Sequence, residues 1–167
     1  YRLVFSEKSK KFDITYNSMT LEFEFYTKEF IQKKLEELKE DKKISSFRCV
    51  NIPDKRTRFS EIKKEYTDEQ GNEKYHFFSY IKFFEYDEKE YGLVGGKTNY
   101  PSPDIAFDYL KKRDNRIARK FLKDNKLKWS RKVIIVNHAP FLERKKDERQ
   151  ALFLESFLQR EFNLFDS

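Results

Sequence analysis

Apolar and polar positions alternate along several short stretches of the chain before switching to helical spacing. Tyr1 to Phe5, Phe12 to Tyr16 and Thr20 to Tyr26 read as short strands. Thr27 stands where an N-cap belongs. Phe30, Ile31, Leu35 and Leu38 follow on one face, which predicts a helix to about Lys42. Ser45 to Val50 reads as another strand, and Ile52 to Ser60, with Pro53 and many charges, as a connection. The centre is β-rich. Glu61 to Thr67 and Tyr75 to Tyr86, joined by the turn Asp68 to Asn72, predict a hairpin. A second turn at Asp87 to Glu90 delivers Tyr91 to Gly96 as the next strand. The remainder is helical and interrupted once. Ser102-Pro103-Asp104 opens a helix to Lys112, and Asn115 caps another to about Asp124. Val133 to Val136 is a buried strand, Pro140 breaks the chain, and a final helix runs from about Lys145 to Phe162.

A chain of 167 residues suits one domain, or one domain with an elaborated N-terminal half. Hydrophobic content is low at 38%, but an aromatic share of 17% supplies enough burial for a core. Charged residues of both signs are mixed along the chain, which argues for a folded domain with a solvated surface. The net charge of +7 favours nucleic acid or another polyanion without specifying either. Cys49 is the only cysteine, so neither an intrachain disulfide nor a cysteine-rich zinc site is expected, and a reducing, cytoplasmic setting is the simplest expectation. Cys49 itself reads as a small buried side chain. No apolar run approaches the roughly 20 residues of a membrane span. His76 and His138 have no partner at metal-ligand spacing and read as structural or merely polar. Trp129 reads as a loop anchor into the core, with stacking on a base as the alternative. The run Glu143 to Arg149 reads as a solvated helix start.

Three of the four glycines, Gly92, Gly95 and Gly96, fall in Tyr91-Gly92-Leu93-Val94-Gly95-Gly96-Lys97-Thr98-Asn99. Three readings of this cluster are open. A phosphate-cradling loop would need glycine at Tyr91 and a helix beginning at Lys97-Thr98; Pro101 and Pro103 follow instead. A structural reading has Gly92 and Gly95 allowing close packing against the sheet, with or without a bulge. The third reading looks at order. An aromatic strand holding Phe78-Ser79-Tyr80-Ile81-Lys82 is followed by an acidic turn and a strand ending Val94-Gly95-Gly96-Lys97-Thr98-Asn99. A helix with Arg116 and Arg119 comes next, then a strand, then a helix carrying Glu155 within Ala151 to Leu158, ahead of Phe162-Asn163.

That order, from about Tyr75 to the C-terminus, resembles the GIY-YIG nuclease family. The resemblance implies an α+β fold, a small antiparallel sheet flanked by helices. Residues 75–167 would form the nuclease core, and residues 1–74 an N-terminal strand and helix elaboration for recognition or dimerisation. Leu93 or Val94 stands where the family's second tyrosine is expected, and Tyr91 lies two residues before Leu93. The implied function is a metal-dependent DNA endonuclease of restriction or mobile-element type. Its implied site residues are Tyr80, Tyr91, Lys97, Arg116, Arg119 and Glu155, with Lys82 as an alternative lysine. Glu155 would be the Mg²⁺ or Mn²⁺ ligand, because a hard cation of this kind needs few protein oxygens. Arg116 or Arg119 would grip phosphate, and Tyr80 or Tyr91 would take a proton from water if neighbouring cations lowered the phenol's pKa. DNA is the implied partner, and self-association is left open. The alternatives are a non-catalytic nucleic-acid or protein-binding module of the same fold, and an unrelated basic α+β domain with a structural glycine cluster. For Glu155 the plain alternative is a half-buried ion pair; for Arg116, Arg119 and Lys120 it is a solvated helix face.

Overall fold

The computed structural model describes residues 8–51, 77–99, 116–138 and 144–166. Those residues form two sheets and three helices, a mixed α+β architecture that is largely antiparallel. The expected strand Tyr1 to Phe5, the first arm of the central hairpin, the helix from Ser102 to Lys112 and the break at Pro140 lie outside the described residues.

Strands β1 (Ser9–Tyr16) and β2 (Met19–Tyr26) form a hairpin of their own. Its two-residue turn places Asn17 at φ 50 and Ser18 at φ 65, the doubly left-handed backbone that matches strand twist. Helix α1 (Lys28–Glu40) starts at the expected N-cap, where the Phe30 amide donates to Thr27 Oγ1 at 3.2 Å. Next come β3 (Ser46–Asn51), β4 (Phe77–Tyr86) and β5 (Lys89–Asn99). The turn between β4 and β5 repeats the first one, with Asp87 at φ 51 and Glu88 at φ 64. Helix α2 (Arg116–Asp124), strand β6 (Lys128–Asn137), helix α3 (Arg144–Glu161) and the short strand β7 (Phe165–Asp166) complete the order. Trp129 belongs to β6 rather than to a loop, and pairs with Phe84.

The main sheet has five strands in the order β3-β6-β4-β5-β7, antiparallel except for the β5–β7 pair. It therefore contains β3 from the N-terminal half, which pairs along its length with β6. Cys49, expected to be buried, is exposed because β3 is an edge strand.

Alternation along β4 sends side chains to opposite faces, and each face has its own core. On one face, Ile81 and Phe83 of β4 and Ile134 and Val136 of β6 meet Ile31 and Leu35 of α1 and Leu154, Leu158 and Phe162 of α3. On the other face, Phe84 meets Phe25 of the hairpin and Ala118, Phe121 and Leu122 of α2. Described residues on both sides of the expected boundary, those of 8–51 before it and those within 77–166 after it, thus contribute to both cores and to one sheet. The second core is where much of the aromatic content goes. Phe12 stands edge-on to Phe25, Phe84, Tyr86, Tyr91 and Phe121 at ring-centre distances of 5.8, 5.6, 5.1, 6.5 and 5.5 Å, the arrangement aromatic quadrupoles favour.

Candidate functional site

The glycine cluster lies inside β5, which runs unbroken from Lys89 to Asn99. No helix begins at Lys97-Thr98, so the geometry of a phosphate-cradling loop is absent there. The close-packing reading is the one the structure matches. A Cβ at Gly92 would lie 2.7 Å from Ile31 Cδ1, and one at Gly95 would lie 2.9 Å from Leu164 Cδ1. The register also slips between Lys82 and Phe83: Lys82 faces Val94 while Phe83 faces Gly92, leaving Leu93 as the extra residue of a bulge. Tyr91, Leu93 and Val94 all enter the α2-side core as a result.

The register separates the six residues expected to share a site. Ser79 and Ile81 point to the α3 face: Ser79 Oγ donates to the Ala151 carbonyl at 3.0 Å, and Ile81 joins the core there. Tyr80, between them, points to the opposite face and is 3% exposed. Tyr91 is on that opposite face too, its ring stacked on Phe84 at 5.5 Å. Tyr91 pairs with Phe84, four residues along β4 from Tyr80, so the two tyrosines stand roughly 13 Å apart along the strand. Arg116 and Arg119 are exposed on α2, which packs on the tyrosine side of the sheet. The six residues therefore do not lie on one surface. The sheet alternates through Ser79, Tyr80 and Ile81, and it stands between Glu155 on one side and both tyrosines and arginines on the other.

Lys97 and Glu155 are brought together. Lys97 pairs with Ser79 in the ladder and so shares the α3 face. Its backbone amide donates to the Glu155 carboxylate, and its ammonium lies 3.3 Å from Glu148 Oε2. Glu148 and Glu155 are seven residues apart, two turns of α3, and thus on one side of the helix. Gln159 continues that side: its Nε2 donates to the Gly95 carbonyl at 2.8 Å and to Asp166 Oδ1 at 3.2 Å. Glu155 is half-buried. Its carboxyl is pushed above the ordinary value, first by desolvation and next by the charge of Asp166, against the opposing pull of Lys97. Its helix neighbours Ala151, Leu158 and Phe162 are buried as the apolar stripe predicts, whereas Leu152 is 45% exposed.

The half-buried Glu155 carboxylate is a hard oxygen donor, and the charge of Asp166 raises its pKa. Among the described residues no group of three or more His, Cys, Asp or Glu side chains is gathered as an all-protein cage. Lys82, the alternative lysine, is 5% exposed on the tyrosine face, its ammonium 3.8 Å from the centre of the Trp129 ring. Among the described residues, no helix is long and apolar enough to cross a membrane.

Sequence reasoning reads Glu148 as part of a solvated helix start and passes over Gln159, yet the two hold Lys97 and the β5 backbone in place. The spacing of Glu155 and Gln159 from Glu148, i+7 and i+11, is the signal that points to them. Comparison with family models, curated proteins and solved structures gives no match to this chain.

Proposed function

We propose that the domain acts on nucleic acid, and that the Lys97–Glu155 cluster is where it hydrolyses a phosphodiester bond. The observation that carries this reading is the contact between Lys97, from the end of the glycine-rich strand, and Glu155, from the last helix. The two positions are 58 residues apart in the chain, and the family resemblance is what implies that they share a site. Lys97 supplies positive charge for a phosphate, held in place by Glu148 at 3.3 Å. The Lys97 amide fixes the orientation of the Glu155 carboxylate. A Mg²⁺ or Mn²⁺ ion held by Glu155 would supply Lewis-acid polarisation of a phosphoryl oxygen.

A second reading is binding without hydrolysis. It is favoured by the burial of Tyr80 and Tyr91 across the sheet from Glu155, which leaves neither phenol at the cluster. Cleavage of supercoiled and linear DNA with Mg²⁺ or Mn²⁺ separates the two. Hydrolysis at the cluster predicts that Glu155→Ala and Lys97→Ala each lose about 10²-fold in cutting, the scale of removing one electrostatic stabiliser. Tyr80→Phe retains activity in that case. DNA binding with no cutting by the unaltered chain sinks the hydrolytic reading in favour of the second.

A further inference from the structure

Helix α3 has two flanks beside its buried stripe, and the Lys97 cluster occupies only one. Helical spacing places Glu148, Glu155 and Gln159 on one side of the buried stripe Ala151, Leu154 and Leu158. Gln150, Phe153 and Phe157 fall on the other side. That second flank faces the end of α1 and the end of β6. Lys39, Lys42, Lys43, Ser45, His138 and Gln150 line an open groove of about 500 Å³ there. A contiguous recess of about 180 Å³ shares Lys43, His138 and Gln150, and adds Phe153 and Phe157 over an apolar floor of Ile44 and Leu154.

The lysines are set by the way α1 ends. The Lys43 amide donates to the Leu38 carbonyl at 2.9 Å and the Lys42 amide to the Lys39 carbonyl at 3.0 Å, closing the helix with Lys42 at φ 60. A helix C-terminus carries only a partial negative charge, and the three lining ammoniums outnumber the two exposed carboxylates of that turn, Glu40 and Asp41, which do not line the groove. Among the described residues, no carboxylate lines either recess, and no ion pair engages Lys39, Lys42 or Lys43. Phe153 is 62% exposed beside them. An exposed phenyl ring next to a cationic wall suits a ligand with a flat π-face joined to phosphates. The groove's volume is in the range of pockets that hold ligands of nucleotide size.

We propose that this groove binds single-stranded nucleic acid, with phosphates on Lys39, Lys42 and Lys43 and a base stacked on Phe153. It shares with the hydrolytic reading only the class of ligand, and it requires neither Glu155 nor a metal. The test is fluorescence anisotropy of a labelled oligo(dT) of about 12 nucleotides, within the length a single-strand groove tracks, titrated with the full chain in EDTA. Lys42→Ala/Lys43→Ala weakens binding about tenfold by removing two cations from the phosphate path. Phe153→Ala weakens it about fivefold or more by removing the stacking platform. Lys11→Ala, an exposed lysine on the hairpin, leaves it unchanged. All these positions are exposed, and circular dichroism verifies the folds of the variants. Three results overturn the proposal: no oligonucleotide binding by the unaltered chain, unchanged binding by the groove variants, or a lysine effect equal on heparin and oligonucleotide with none from Phe153→Ala. Loss of cutting without loss of EDTA-insensitive binding bears on Glu155 alone, so the two sites fail separately.

Discussion

Gly92 and Gly95 show how a residue chosen for the absence of a side chain can position a site. Ile31 is fully buried under β5, and an alanine methyl at Gly92 would meet its Cδ1 at 2.7 Å and Leu164 Cδ2 at 3.0 Å. Gly92→Ala is expected to cost about 1–3 kcal/mol, the range for overpacking a core, read from the denaturant midpoint. At Gly95 the methyl would press on Gln159 Cγ at 3.2 Å, the side chain that bonds the Gly95 carbonyl beside Lys97. That the cluster packs closely was legible from its composition. That Ile31 and Leu164 are what it packs against was not, because both are distant in the chain. Glu155 carries a second prediction at this scale. Its folded pKa lies above the unfolded value, so the folded state holds more protons in the window just above pH 4.5, and stability falls as pH rises through it. Glu155→Gln removes that penalty while keeping an acceptor for the Lys97 amide. The variant should melt higher than the parent at neutral pH and lose the advantage at acid pH. Equal melting temperatures at pH 7 would refute the desolvation account.

At the scale of elements, this chain makes left-handed backbone with residues other than glycine. Lys42, Lys126 and Asn163 take φ 60, 55 and 53 just beyond the three helices. Each is followed by an amide that returns to a carbonyl in the last turn: Lys43 to Leu38, Leu127 to Leu122 and Leu164 to Gln159. Both hairpins do the same with Asn17-Ser18 and Asp87-Glu88. A side chain in this region costs about 1–2 kcal/mol. Lys126, exposed and remote from both candidate sites, is the clean place to relieve it. Lys126→Gly should stabilise the protein by about 0.5–1 kcal/mol, the penalty relieved less glycine's greater chain entropy, in urea melts of the purified protein. At the opposite end of α1, Thr27→Ala should destabilise by about 1 kcal/mol through loss of the bond to the Phe30 amide. The start of α1 was readable because threonine announces it. Its end was placed only to within a couple of residues because lysine, unlike glycine, announces nothing.

Over the whole molecule, the decisive quantity is which face of the sheet a side chain takes. Strand and helix order could be read from periodicity, and so could the place of Glu155 in an apolar stripe, whereas the candidacy of Lys97 came from the family resemblance. Facing could not, because it depends on the partner strand and on the bulge at Leu93. One such bulge carries Tyr91, Leu93 and Val94 into the aromatic core and leaves Lys97 with α3. The arginines consequently belong to a different surface. Arg116, Arg119, Lys120 and Lys123 are all exposed, at i, i+3, i+4 and i+7, opposite the buried Ala118, Phe121 and Leu122. Lys120 is held to Asp124 at 2.6 Å, which leaves Arg116, Arg119 and Lys123 as the cations of the stripe to test. A cationic row along one helix is suited to duplex phosphates rather than to bases, since it offers charge without stacking. Removing one phosphate-binding cation from such a row should lower the slope of log K against log salt by about 0.9 on duplex DNA. Arg116→Ala, Arg119→Ala and Lys123→Ala should therefore weaken duplex binding alike on every sequence and flatten its salt dependence together. Phe153→Ala should leave duplex binding untouched while it weakens single-strand binding. Salt slopes unchanged by all three α2 substitutions would leave this row a solvated helix face and put the chain's nucleic-acid contacts on the α1–α3 side alone.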